Sequence, residues 1–255
     1  MNVTEPKVPA LRTTDLSMSF GGLQVLDGLN LEIQQGEVRS IIGPNGAGKT
    51  TLFNILSGAF APTGGSVEVL GHQVAGASPD AFHALGLSRS FQVTRVFPEL
   101  TVQENIELAR IASYPRRPGF IRRPRWLRGL SAEANQLLDD LELAPLAGRA
   151  AGTLSHGDQR RLDIALSLAA EPSIVLLDEP TAGMARGEAQ ATMGLLERLL
   201  KGRTIVLVEH DMDLVMRISD QVSMLHYGKL IVTGPPNEVK ANPEVRKAYL
   251  QGGVM

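Results

Sequence analysis

The chain contains no cysteine, which excludes a disulfide framework and any thiolate metal site. Net charge is almost absent too, with 25 Lys and Arg against 27 Asp and Glu. That balance argues against a general nucleic-acid binder, whose electrostatic footprint is basic. No apolar run approaches the ~18 residues that a membrane span requires. The opening stretch, MNVTEPKVPALRTTD, lacks the apolar core of a signal peptide. The expectation is a protein that serves any membrane from the water side. Between Thr51 and Leu154 there is no heptad run, so no long coiled coil is expected. The 255 residues suffice for one well-buried core with a subdomain.

What the chain does have is glycine in one decisive place. Gly43–Thr51 reads GPNGAGKTT and fits the phosphate-loop pattern G-x-x-x-x-G-K-[ST]. Val38–Ile42 is a short apolar run ahead of it, and Leu52, Ile55, Leu56 and Ala59 recur at helical spacing behind it, with Gly58 suited to a helix end. A strand that passes through a glycine turn into a helix start leaves backbone N–H groups aimed at one spot, where the helix dipole adds to the pull on phosphate. Gly43, Pro44, Asn45, Gly46, Ala47, Gly48 and Thr51 are expected to cradle the phosphates. Lys49 can reach the β- and γ-phosphates, and the Thr50 hydroxyl can ligate Mg²⁺. The expected ligand is a nucleoside triphosphate.

Leu11–Phe20 and Gln24–Ile33 alternate around Gly21-Gly22 and predict an antiparallel pair. Phe20 is either a core residue of that edge or a face for stacking adenine. Strands are also expected at Ser66–Leu70 and Gly86–Phe91, the latter running into Gln92. From Glu99 to Ala170 the pattern is helical. One helix follows Thr101 as N-cap, a second covers Ala132–Leu141, and a third runs from about Gln159 to Ala170 behind Leu154-Ser155-His156-Gly157-Asp158. Pro115–Gly129 is rich in proline and arginine and reads as a loop, either solvated or facing anionic lipid or an acidic partner. Ser155 is an N-cap whose helix start is also a second potential anion site.

Ile174–Leu177 is a continuous apolar run ending in Asp178-Glu179-Pro180, the signature of a strand buried on both faces. Ligands bind beyond the carboxyl ends of such strands. Asp178 is expected in the Mg²⁺ shell and Glu179 on the attacking water, unless the two form only a salt-bridged strand end. Alternation along the strand should send the two side chains apart. Thr204–Val208 repeats the pattern and His210 leaves its end, either as a structural histidine or as a contact for the γ-phosphate. Gln221–Leu225 and Leu230–Thr233 are expected strands, and Asn237–Asn242 and Pro243–Leu250 expected helices.

GPNGAGKT, Gln92, LSHGDQ at 154–159, IVLLDEP at 174–180 and His210 together resemble the nucleotide-binding subunits of ABC transporters along essentially the whole chain. The stretch 114–130, AGM at 182–184, EHDMDLVM at 209–216 and NPEVRKAYL at 242–250 are similar to the ATPases of branched-chain amino-acid uptake systems. The resemblance implies an α/β P-loop NTPase core with a mostly parallel sheet, an antiparallel β edge and an inserted helical subdomain. It implies one domain over 8–255, with 8–98 and 171–255 as ATP-binding core and 99–170 as the helical part. It further implies ATP and Mg²⁺, with Lys49, Glu179 and His210 catalytic, Phe20 stacking adenine, and Gln92 a Mg²⁺ ligand coupled to membrane subunits. Ser155 and Gly157 would serve the nucleotide of a second cassette, the same or paralogous, packed head to tail. Permease subunits, and indirectly a solute-binding protein, are the other implied partners, with no nucleic acid. The implied place is the cytoplasmic face of the membrane. A lipid-linked glycan exporter and a DNA-repair ATPase are the alternatives.

Three positions depart from the family pattern. His156 replaces the first glycine of LSGGQ, Asp158 its final glutamine, and Ala185 a usually acidic residue. A carboxylate at 158 should weaken anion binding unless it turns inward as the cap.

Overall fold

The computed structural model describes residues 8–90, 96–113, 127–199 and 201–251. Its strands are β1 (Leu11–Phe20), β2 (Leu23–Ile33), β3 (Val38–Ile42), β4 (Gly64–Val69), β5 (His72–Gln73), β6 (Leu87–Arg89), β7 (Ile174–Asp178), β8 (Thr204–Val208), β9 (Gln221–His226) and β10 (Lys229–Gly234). Its α-helices are α1 (Lys49–Leu56), α2 (Pro79–Ala84), α3 (Val102–Ser113), α4 (Leu127–Asp140), α5 (His156–Ala169), α6 (Arg186–Leu199), α7 (Met212–Ile218), α8 (Pro236–Ala241) and α9 (Pro243–Gln251). Among the described residues no helix is long and apolar enough to cross a membrane.

The chain divides into two compact units, one of Met1–Leu87, Ser173–Glu179 and Leu200–Met255, the other of Ser88–Pro172 and Pro180–Leu199. Among the described residues two sheets are formed, in the orders β2-β1-β4-β5 and β10-β9-β3-β8-β7-β6. In the larger sheet β3 runs parallel to both β8 and β9, and β7 parallel to β8, while β10 closes one edge antiparallel to β9. Every residue of β7 and β8 is buried, as expected for strands covered on both faces. The expected antiparallel edge is thus a separate four-stranded sheet plus one antiparallel edge strand. One apolar cluster, including Leu26, Ile41, Phe53, Val67, Ile174 and Val206, joins the strand pair, the helix after the phosphate loop and the parallel strands into a single core.

The second unit is built on α3, which packs on α4 and α5. Thr101 and Glu104 form a reciprocal cap: Thr101 N donates to Glu104 Oε2 at 2.8 Å and Glu104 N to Thr101 Oγ1 at 3.1 Å. Those bonds hold the Glu104 carboxyl below its ordinary pKa of 4.5. Asn105, 1% exposed, ties down the loop ahead of α3. It accepts from Phe97 N and donates to the carbonyls of Phe97, Leu100 and Thr101.

Several expectations need correction. The second helix of this unit begins at Leu127, not Ala132, because the prolines stop at Pro124 and the one glycine, Gly129, costs a helix only about 1 kcal/mol. The expected loop therefore ends before Leu127, and residues 115–126, with their arginines, lie outside the described part. The helix after Leu154 starts at His156 rather than Gln159, directly behind its Ser155 cap. Helices α2, α6 and α7 and the two-residue strand β5 were not expected from the pattern.

Candidate nucleotide site

Strand register brings the site together. Ile41 of β3 pairs with Val208 of β8, and Val208 pairs with Asp178 of β7. Three neighbouring parallel strands therefore end level with one another, and Gly43, His210 and Glu179 each follow one or two residues later. Glu179 N donates to Val208 O at 2.9 Å, fixing the first residue beyond β7.

The phosphate loop needs its glycines for space as well as for conformation. Gly43 has φ 154°, and a methyl group there would lie 2.1 Å from Leu225 O. Gly48, the N-cap of α1 at φ 105°, has Leu26 and the Val25 carbonyl within 3.0 Å of where a Cβ would stand. No side chain caps α1, whereas Ser155 caps α5 and Asp211 caps α7. The orphan N–H groups of α1 are thus left for a ligand, and an anion is what a helix start attracts. Lys49 is 7% exposed, and its Nζ donates to the carbonyls of Gly43 at 2.6 Å and Pro44 at 3.0 Å. Burial lowers its pKa below 10.5, while the carboxylates of Glu179 and Asp178 pull it back up. Those two carboxylates therefore act on the lysine of a loop more than a hundred positions away in the chain.

Asp178 is 2% exposed at the end of β7. Glu179 does not continue the strand. Its φ is 47°, in the left-handed region that costs an L-residue energy. Glu179 lies outside β7, so strand alternation does not set the direction of its side chain. Glu179 Oε1 lies 2.8 Å from His210 Nε2. His210 is itself held by its N–H to Glu209 Oε2 at 2.8 Å. Asp211, accepting from Asp213 N and Leu214 N, starts α7 immediately after it. Sequence reasoning missed this last device, although Asp-x-Asp ahead of an apolar run is a cap signal.

Phe20 ends β1 opposite Leu23, is 43% exposed, and meets Phe60 edge-on with centroids 5.7 Å apart. Thr50 is exposed on the first turn of α1. Gln92 lies outside the described residues. Among the described residues no group of three or more His, Cys, Asp or Glu could hold a metal ion. A cation here would depend on hydroxyl, water and phosphate ligands, the usual pattern for Mg²⁺.

Ser155 and Gly157 belong to the second unit. Ser155 Oγ accepts from Asp158 N at 3.2 Å and lies 2.8 Å from Asp158 Oδ2, so Asp158 has turned inward as the cap. Arg161 Nη2 donates to the same carboxylate, a neutralising partner that the i,i+3 spacing could have revealed. Gly157 is buried, and a Cβ there would lie 3.4 Å from the Glu188 carboxylate. His156 packs on Gly183, its Nε2 3.4 Å from Ala182 O.

Comparison with known proteins agrees with this geometry. Residues 26–182 match the ABC transporter family, and residues 229–250 match the branched-chain amino acid ATP-binding cassette transporter family. A high-affinity branched-chain amino acid transport ATP-binding protein of Pseudomonas aeruginosa is 39% identical over 95% of this chain and 98% of its own length. Its counterpart in Escherichia coli strain K12 is 38% identical, again over 95% and 98%. An ATP-binding cassette of an ABC transporter, in its ADP conformation, superposes with a TM-score of 0.82 at 30% identity, covering 95% of this chain and 98% of that one. A dimeric cassette in a post-hydrolysis state with ADP and Pi gives 0.76 at 28% identity, covering 89% and 98%. By sequence and by fold, the chain belongs to the ABC transporter ATP-binding family.

Proposed function

We propose that this chain is the ATP-hydrolysing subunit of an uptake system for branched-chain amino acids or a related small polar solute. It works as one cassette of a head-to-tail pair, its partner the same or a paralogous ATPase. The pair is held on the cytoplasmic face by separate permease subunits that a solute-binding protein supplies. The domain spans 8–255, with 8–98 and 171–255 as ATP-binding core and 99–170 as the helical subdomain. The observation that carries the reading is the level ending of β3, β7 and β8, with Glu179 on His210 beside an uncapped helix start. The substrate class rests on the relatives and on the C-terminal match.

The N–H groups of Gly43–Thr51 and the Lys49 ammonium hold the β- and γ-phosphates and stabilise charge on the transferring group. Lys49 exchanges the carbonyls of Gly43 and Pro44 for phosphate oxygens. Glu179 orients the attacking water and accepts its proton, and His210 fixes the Glu179 carboxylate and reaches the γ-phosphate. Thr50, Gln92 and, through water, Asp178 would hold Mg²⁺, which would supply positive charge against the phosphates. Phe20 stacks adenine, while Ser155 and Gly157 meet the nucleotide of the partner cassette.

Glu179→Gln tests the chemistry. It should bind ATP as the parent does while turnover falls ~100-fold or more, the cost of a lost general base. Near-normal turnover removes Glu179 from that role. ATPase stimulation of the reconstituted complex by a panel of solutes with their binding protein tests the substrate class, and no response to branched-chain amino acids rejects it.

A further inference from the structure

Helix α1 carries the phosphate loop at its start, and what it carries at its other end has no role in that chemistry. The helix stops in a Schellman turn. Gly58 has φ 73°, its N–H donates to Ile55 O at 3.0 Å, and Ala59 N donates to Asn54 O at 2.8 Å. Phe60 N also reaches Asn54 O, at 3.1 Å. A methyl group on Gly58 would stand 2.6 Å from the ring of Phe82, which is 2% exposed. The turn is therefore fixed both by backbone hydrogen bonds and by a buried ring. What it presents is Phe60, a large apolar side chain left 38% exposed, whose ring meets that of Phe20 at an interplanar angle of 74°. Edge-to-face geometry is the favoured arrangement for two such rings, and it fixes the plane of each relative to the other.

We propose that Phe60 is a positioning residue for the nucleotide base: it sets the ring plane of Phe20 for adenine, so that one eight-residue helix fixes both the phosphate cradle and the base platform. The inference rests on the reading of Phe20 as the adenine-stacking residue. An unsupported Phe20, exposed at the end of a hairpin, would rotate freely between its side-chain wells. With Phe60 beside it, the ring is ordered before the base arrives, and less conformational freedom is lost on binding. The strand that follows Phe20 through the turn also packs its Val25 carbonyl and Leu26 against Gly48. The base platform and the phosphate loop are thus tied at both ends of α1.

The test compares ATP with tripolyphosphate, which carries the phosphates without a base, by calorimetric titration of the full chain. Phe60→Ala should weaken ATP ~2- to ~10-fold, the worth of one edge-to-face pair, and leave tripolyphosphate unchanged. Phe60→Tyr should restore ATP affinity, because it keeps the ring, and Phe60→Leu should not. A residue that served only the fold would weaken both ligands together, and that result overturns the proposal. Unchanged ATP affinity in Phe60→Ala, with a loss in Phe20→Ala, overturns it as well and leaves Phe20 in place. If Phe20→Ala itself binds ATP normally, the platform reading fails and the role of Phe60 fails with it.

Discussion

The backbone at Glu179 permits a prediction with an unusual sign. Glycine at an ordinary position is less stable than alanine by about 0.5–1 kcal/mol, because it loses more freedom on folding. At Glu179 the order should reverse. Its φ of 47° costs an L-residue about 1–2 kcal/mol and costs glycine nothing. Glu179→Ala and Glu179→Gly lose the same carboxylate and the same 2.8 Å contact with His210, so those losses cancel in the comparison. What remains is the backbone term less the glycine entropy, about 0.5–1 kcal/mol in favour of glycine. In a domain of this size that corresponds to a Tm about 1–4 °C higher for Glu179→Gly. Urea denaturation without nucleotide measures the difference directly, and both variants should be inactive. An alanine variant as stable as the glycine one would show that no strain is stored at the residue that acts on water.

Gly183→Ala should destabilise by about 2 kcal/mol, because φ is 76° and the new methyl would stand 2.8 Å from His156 Nε2. Adding His156→Gly should recover about half of that in urea melts, and a double variant no better than the single one refutes the contact. Asn105→Ala should cost about 2 kcal/mol, since it strips Phe97 N of its buried acceptor, while the carbonyls of Phe97, Leu100 and Thr101 keep the backbone N–H groups of Leu100, Ala151 and Asn105; a loss below 1 kcal/mol would mean that water replaces the amide. Lys49 gives a pH signature. Burial lowers its folded pKa below 10.5, so the fold disfavours the ammonium, and ligand-free stability should rise as pH climbs through the lowered value toward 10.5. Lys49→Met should lose that rise, and an unchanged alkaline profile would assign it to another group.

Legibility in the sequence followed how local each requirement is. The phosphate loop is a demand on nine consecutive residues, and glycines at fixed spacing are the only way to meet it. Strands β7 and β8 announce themselves as apolar runs because they are buried on both faces. Helix α6 was missed because Ala185 stands at its start, with Glu188 supplying the bond to Ala185 N at 3.3 Å, and because Gly187 and Gly194 dilute its pattern. Helix α7 has only seven residues and is announced by a cap rather than by periodicity. The contact of Glu179 with His210 could not be read at all. It depends on which strand lies beside which, and on a left-handed bend at a residue type that seldom adopts one. The inward turn of Asp158 was foreseen as one of two outcomes, but Arg161 as its counter-charge was not.

The level ending of β3, β8 and β7 also constrains how relatives of this chain can vary. Adding or deleting one residue inside any of these five-residue strands would shift a reacting group by about 3.3 Å and turn it to the opposite face. The amino-terminal rim of the same sheet is just as level, Ile174 lying against Thr204 and Val38 against Ile205, but none of the residues assigned to the site stands on it. Insertions are tolerable there and ruinous here, so the two rims of one sheet answer to different rules of change.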